Sequence, residues 1–436
     1  MKAKKKFANP FAVPAVRRKI LIITGILLLI RIINQIPTPG VNTDYLRELF
    51  ESSGNSWNFL NMITGGSLSS LSVLALNITP YITASIIMEL LSVVFKSLEE
   101  MKRDGKTGME KFKKITLLVS IGLSLLQAAA MAIGFGRSGL LVNFTWYWVV
   151  IVASIWTLGA GALSFVGTKM TDKKLGNGIS LILLCNILSS VISDITAVWN
   201  ILTVDTAIPF AVLKVAAAIV ILFAMTLFVV YLQAGRKEIP VIYSRKTGTG
   251  SSAMAQRSTL PIPVNAAGVV PVIFASSLFA IPTMIGMFVG SGNTVWDTIV
   301  NCTNSSAWFN PGQMQYTVGW LVYAALIVFF TYFYTSINFN PIEVADNLRK
   351  GGGQIPGIRP GKETEQYLSR RMTYISLFGS LAMVVVSTVP MVLSGVFGIG
   401  NISLMGTSVV IIVGVFAETQ NSLAADMNMY TAARFI

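Results

Sequence analysis

Ten runs of predominantly apolar residues recur along the chain, most of them about 20 residues long, the length an α-helix needs to cross a hydrocarbon core near 30 Å thick. They cover 20–36, 77–95, 115–135, 146–166, 178–199, 208–232, 268–289, 317–337, 372–393 and 402–423. Soluble domains carry about a quarter charged residues. Here 12% are charged and 53% hydrophobic, with a mean hydropathy of +0.67, too few polar groups to clothe an aqueous surface. In lipid every backbone polar group must be satisfied within the protein, so these runs predict an all-α polytopic membrane protein with ten transmembrane helices. The stretch 59–75 is different. It is moderately apolar, holds Gly65, Gly66 and four serines, and is too short and too polar to span.

Lysine and arginine set the orientation. Of 33 such residues, 29 fall in connections on the N-terminal side of the membrane, while Arg47 and Arg137 fall on the other and Arg31 and Lys214 within spans. Positive-inside sorting then places both termini in the cytoplasm and requires an even number of spans. The basic N-terminus (Lys2, Lys4, Lys5, Lys6, Arg17, Arg18, Lys19) followed by an apolar run has the look of a signal peptide. The run is long and no small-residue cleavage site follows it, so a retained first span is expected. Ten spans divide at the connection 199–208 into five and five. A five-helix unit starts and ends on opposite sides, so its second copy is inverted; the geometry allows an inverted repeat, although no self-similarity is visible. Two cytoplasmic connections, 235–265 and 338–371, are long enough to be functional. The second holds Gly351, Gly352 and Gly353, and its prolines and glycines predict a shaped backbone that displays a few cations.

Several chemistries are disfavoured. The chain has no histidine and two cysteines, Cys185 and Cys302, so His-based acid–base chemistry, Ser-His-Asp triads and His or paired-Cys zinc sites are absent. Within the spans the ionisable residues are Arg31, Glu89, Lys214 and Glu418. None forms an acidic pair or relay at mid-membrane depth, where ion-coupled transporters usually carry one, and no nucleophile–base pair suggests an enzyme. A passive channel, a five-plus-five transporter and an insertase or scaffold without a continuous pore remain the competing classes.

Five segments occur in order: NITPYITASII at 77–87, GNGIS at 176–180, VNAAGVVPVIFASS at 264–277, IPGIRPG at 355–361 and GTS at 406–408. Together they resemble the SecY/Sec61-alpha family of protein-conducting channels, over nearly the whole chain. The resemblance implies two pseudo-symmetric inverted five-helix halves, 1–200 and 201–436, closing like a clamshell on an hourglass pore with a re-entrant plug at about 59–75. It places a ring of aliphatic side chains at Ile78, Ile82, Leu183, Ile187, Ile273 and Ile411, with Leu183 standing where isoleucine is usual. It places plug residues at Gly65, Gly66, Ser67, Leu71 and Leu74, where the glycines permit a sharp turn. A lateral gate is implied at Pro80, Thr83, Gln127 and Pro271, the prolines standing inside or near the starts of the second and seventh spans, where proline promotes a kink; Asn265 is a further polar candidate there. Arg236, Arg245, Lys246 and Arg359 are implied to meet partners through the cytoplasmic loops, although 247–252 (TGTGSS) replaces a tip that is commonly more basic. The implied partners are SecE and SecG as bracing subunits, the ATPase SecA, the ribosome, signal peptides and nascent spans, and membrane lipid. The implied place is the bacterial plasma membrane; no catalytic residue, metal or cofactor is implied, and energy comes from the ATPase or from synthesis.

Overall fold

A computed structural model describes residues 14–42, 64–68, 70–136, 141, 144–172, 176–203, 208–243, 256–289, 294–303, 308–309, 312, 314–397 and 405–432. Every apolar run is helical in its core, because a helix satisfies its backbone internally whatever surrounds it. The helices are α1 (Pro14–Ile33), α2 (Thr79–Val94), α3 (Lys96–Arg103), α4 (Gly105–Phe135), α5 (Trp146–Asp172), α6 (Gly178–Thr203) and α7 (Ile208–Ala234). After two strands follow α8 (Val270–Val289), α9 (Thr294–Thr303), α10 (Val318–Asn338), α11 (Pro341–Lys350), α12 (Lys362–Phe397) and α13 (Met405–Ala432). Among the described residues five helical stretches are long and apolar enough to cross a membrane, and α2 with α3 makes a sixth if that bent pair counts as one. The pair turns through 104° at Phe95, where an apolar helix gives way to the charged α3 (KSLEEMKR). Large apolar side chains stand open on the outer faces, Leu118 and Leu158 each at 73% exposure, as a lipid-facing surface requires.

The prediction of an all-α chain is corrected by a small sheet. Strand β1 (Arg236–Tyr243) runs antiparallel to β2 (Gln256–Pro263) from Arg236↔Pro263 to Tyr243↔Gln256. Its end also pairs with β3 (Gly353–Gln354), giving the order β2-β1-β3. The two long connections therefore join each other. Ile239 and Val241 alternate inward along β1. Ile239 and Ile262 share a core with Ile355, Leu368 and Met372 that is separate from the core between the long helices. Pro261 and Pro263 are tolerated because β2 is an edge, and Pro240 because β3 covers only the far end of β1. Gly353 has to be bare: a Cβ there would lie 2.8 Å from the Tyr243 ring.

A second correction concerns Pro80 and Pro271. Both occupy the second residue of their helices, where the N–H has no intrahelical acceptor to lose. They start α2 and α8 and do not kink them. Among the described residues the prolines in helix interiors are Pro282 of α8 and Pro390 of α12, where proline removes a backbone hydrogen bond.

Candidate pore and plug

Residues four apart on a helix share a face, and two such faces meet in the main core. Ile78, at the entry to α2, and Ile82 one turn on pack in one apolar cluster with Leu183 and Ile187 of α6 and Ile411 of α13. Ile78 and Ile187 have no exposed surface at all. Ile273, near the start of α8, is partly buried and packs against the same cluster. All six positions of the expected ring thus lie in or against one apolar cluster, and their branched side chains offer no hydrogen bond or charge to anything between them.

Against this cluster sits the segment 64–78, a succession of tight turns. Gly65 (φ +68°) and Gly66 (φ +82°) reverse the chain in the left-handed region that glycine enters without a Cβ penalty. At Gly65 there is a second requirement, since a Cβ would come within 2.9 Å of the Asn186 Cα. The Ser67 hydroxyl lies 2.9 Å from the Thr64 carbonyl and 3.1 Å from that of Leu74, tying together the ends of the turn. Leu71 is fully buried among Ala128 and Met131 of α4 and Val152 and Trp156 of α5, while Leu74 belongs to the main cluster with the expected ring positions. The segment is also stitched to the turn after α1. The Thr38 N–H donates to the Leu71 carbonyl (2.9 Å) and the Val73 N–H to that of Ile36 (3.0 Å), and the Trp156 indole donates to the Thr38 hydroxyl (2.9 Å). Residues 59–63 and Ser69 of the expected plug lie outside the described residues.

A polar clasp, not foreseen from the sequence, grips the first turn of this segment. Arg31 of α1 donates to the Gly65 carbonyl at 2.6 Å. The Asn77 amide donates to the Thr64 carbonyl at 3.1 Å. Asn186 of α6 in turn donates to the Asn77 side-chain oxygen at 2.9 Å, which also accepts the Ile78 N–H. The available signal was the pairing of each buried amide with the next residue, Asn77 with Ile78 and Asn186 with Ile187: the groups that hold the segment are chain neighbours of the ring.

Helix α8 packs against both α2 and α4. Thr83 is half-buried and spends its hydroxyl on the Thr79 carbonyl of its own helix (3.2 Å). Gln127 is buried with its carbonyl oxygen unpartnered. The Asn265 amide donates to the Gly268 carbonyl at 2.9 Å, capping the approach to α8. A cavity of about 320 Å³ opens among α2, α4, α5, α6, α8 and α10, walled at one end by Ile82, Leu183 and Ile273 and elsewhere by Glu89, Lys113 and Asn177. Neither Thr83 nor Gln127 is on its wall.

On the sheet unit, Arg236 and Arg359 are exposed. The 355–361 turn is braced around Arg359: its N–H donates to Glu363 (3.3 Å) and its carbonyl accepts the Thr364 hydroxyl (2.9 Å), leaving the guanidinium to point from a fixed backbone. Arg245 and Lys246 lie outside the described residues.

Comparison with known proteins gives one consistent answer. A family model described as SecY matches residues 72–420. The chain is 36% identical over 419 residues to the protein translocase subunit SecY of Escherichia coli K12, covering 93% of this chain and 91% of that protein. It is 34% identical over 421 residues to the SecY subunit of Helicobacter pylori, covering 95% and 97%. Among solved structures, a protein-conducting channel superposes with a TM-score of 0.64 at 20% identity, over 93% of this chain and 91% of that one. Sec61 from a canine ribosome–channel complex superposes at 0.62 and 19% identity over the same shares.

Proposed function

The chain belongs to the SecY family, and on that premise we propose that it is the channel subunit through which signal-bearing, unfolded polypeptides cross the bacterial plasma membrane and from which apolar segments pass sideways into lipid. One observation carries the proposal: five aliphatic side chains from α2, α6 and α13 lie in the main buried core with Ile273 of α8 packed against it, and the clasped turn at 64–74 adjoins them. A hydrated ion entering such a collar sheds water and gains no ligand, a cost of several kcal/mol or more. A polypeptide fills the same collar with its own atoms, and flexible branched side chains close around it. The collar therefore resists ions at rest and during transit alike.

In this scheme the ten helical runs span the membrane as two inverted five-helix halves, 1–200 and 201–436, with both termini in the cytoplasm. The plug is the stretch of about 59–75, described here from Thr64 onward. Arg31, Asn77 and Asn186 all belong to the N-terminal half, so the clasp keeps the plug with that half until a substrate displaces it. The seam of α2 and α4 against α8, with Thr83 and Gln127 beside it and Pro80 and Pro271 starting its helices, is the lateral gate. The protein is passive. Its energy comes from the ATPase SecA or from the ribosome, either of which meets cations on the stiff sheet unit, Arg236 and Arg359 foremost; exposed guanidinium groups suit acidic grooves and RNA phosphates. A complex of the canine relative with the ribosome supports that kind of partner. SecE and SecG brace the open outer faces, and membrane lipid covers the remainder.

The test replaces both Ile82 and Ile187 with serine. In proteoliposomes this variant is expected to leak small ions and to accept precursors with weakened signals. Ion permeability equal to the parent's would overturn the collar.

A further inference from the structure

Two turns of α2 beyond the collar stands an acid that the transport scheme has not used. Glu89 follows Ile82 by seven residues on the same helix face, about 10 Å further along the axis, and both side chains wall the 320 Å³ cavity. Glu89 is the one carboxylate on that wall among the described residues. The lysine opposite, Lys113, faces Asp172 on its outer side at 3.4 Å. Glu89 is 19% exposed and held at 2.5 Å by Lys102, itself 19% exposed. Lys102 arrives from α3 only because the chain bends back through 104° at Phe95. Its ammonium also lies 5.4 Å over the Phe112 ring, so it keeps an attractive neighbour when it leaves the carboxylate.

A carboxylate on a membrane helix is costly unless a cation accompanies it. Here the cation comes from a short surface helix, and the pair opens onto a cavity whose other end is aliphatic. We infer that Glu89 is a recognition site for the cationic N-terminal end of an incoming apolar segment, with Lys102 as the internal cation that such a segment replaces. The inference rests on the channel function proposed above and names the part of the substrate this cavity reads. Secretory signals carry positive residues directly ahead of 7–15 apolar ones. An apolar helix laid against Ile82, Ile273 and Phe274 brings its leading cation to the level of Glu89. One ammonium replaces another, and the acid is never left unpaired. The pairing also favours the orientation in which the cationic end stays on the side of α3.

The test is a binding measurement on the intact chain in phosphatidylcholine nanodiscs, whose lipid carries no net charge. Two synthetic peptides share an apolar core of about ten leucines, one led by two lysines and the other by two glutamines. The parent is expected to bind the lysine peptide about fivefold more tightly, the scale of a partly exposed ion pair. Glu89→Gln should abolish that preference and leave affinity for the glutamine peptide unchanged. Lys102→Gln, which frees the carboxylate, should increase the preference. If both variants shift both peptides alike, the pair merely staples the α2–α3 bend and the proposal is overturned. A preference that survives Glu89→Gln also overturns it. If the parent binds neither peptide, the channel function itself fails, and this inference with it.

Discussion

Arg31 shows how one side chain acquires meaning only in three dimensions. In the sequence it is a lone charge near the end of a span. In the fold its guanidinium donates to the Gly65 carbonyl, and together with Asn77 and Asn186 it holds the turn at 64–65, the start of the proposed plug. Arg31→Met keeps the apolar stem and removes the donor, leaving a partly buried carbonyl without this charged partner at a cost of about 1–3 kcal/mol. The plug should then release more readily, seen as raised resting conductance in planar bilayers and faster labelling of a cysteine placed at Ser70; a resting conductance unchanged from the parent would deny the clasp its role. The two glycines provide a graded comparison. Gly65→Ala meets both a positive φ and the Asn186 backbone at 2.9 Å, whereas Gly66→Ala meets only the positive φ, with no atom within 4 Å. An alanine in the left-handed region costs about 1–2 kcal/mol. The variant at Gly65 should therefore leak and label more than the one at Gly66, and equal behaviour would remove the contact with α6 from the explanation.

At the scale of elements, the helices were legible and the sheet was not. Apolar runs of membrane length leave the backbone little choice, and among the described residues each of them is helical through its core. The strands carry the opposite kind of sequence. β2 contains Pro261 and Pro263, which read as loop until β2 is known to be an edge, and β3 is two residues long and separated from β1 by about a hundred residues. The inward alternation of Ile239 and Val241 was present in the sequence but interrupted by Pro240, so it did not read as a strand. Pro80 and Pro271 were misread for a related reason: a proline helps a helix at its first turn and harms it further in, and the boundary could not be fixed without coordinates. The sheet's core shares no residue with the collar's, which separates their functions experimentally. Ile262→Asp buries a charge at a position with no exposed surface and should unseat β2 from its partners. ATPase-driven translocation into vesicles is expected to fall at least tenfold, with ion permeability at the parent's level; a leak from this variant would show that the sheet and the collar are mechanically one unit.

Across the whole molecule, the proposed collar is where sequence alone is least informative. Ile78, Ile82, Leu183, Ile187, Ile273 and Ile411 are chemically indistinguishable from Leu118 or Leu158, which face outward. Any apolar residue on a spanning helix can point to lipid, to a neighbour or to a passage, and only the assembled bundle separates these fates. The resemblance to a family singled out the six residues; the fold places five of them in the main apolar core and Ile273 against it. A precursor stalled midway through the channel, with a single cysteine in its translocating portion, tests that gathering most directly. Paired in turn with a cysteine at position 78, 187, 273 or 411, the stalled chain should form disulfides with all four, while a cysteine at position 158 should form none. Cross-links at 158 that equal those at the four ring positions would contradict the passage of the chain through the collar.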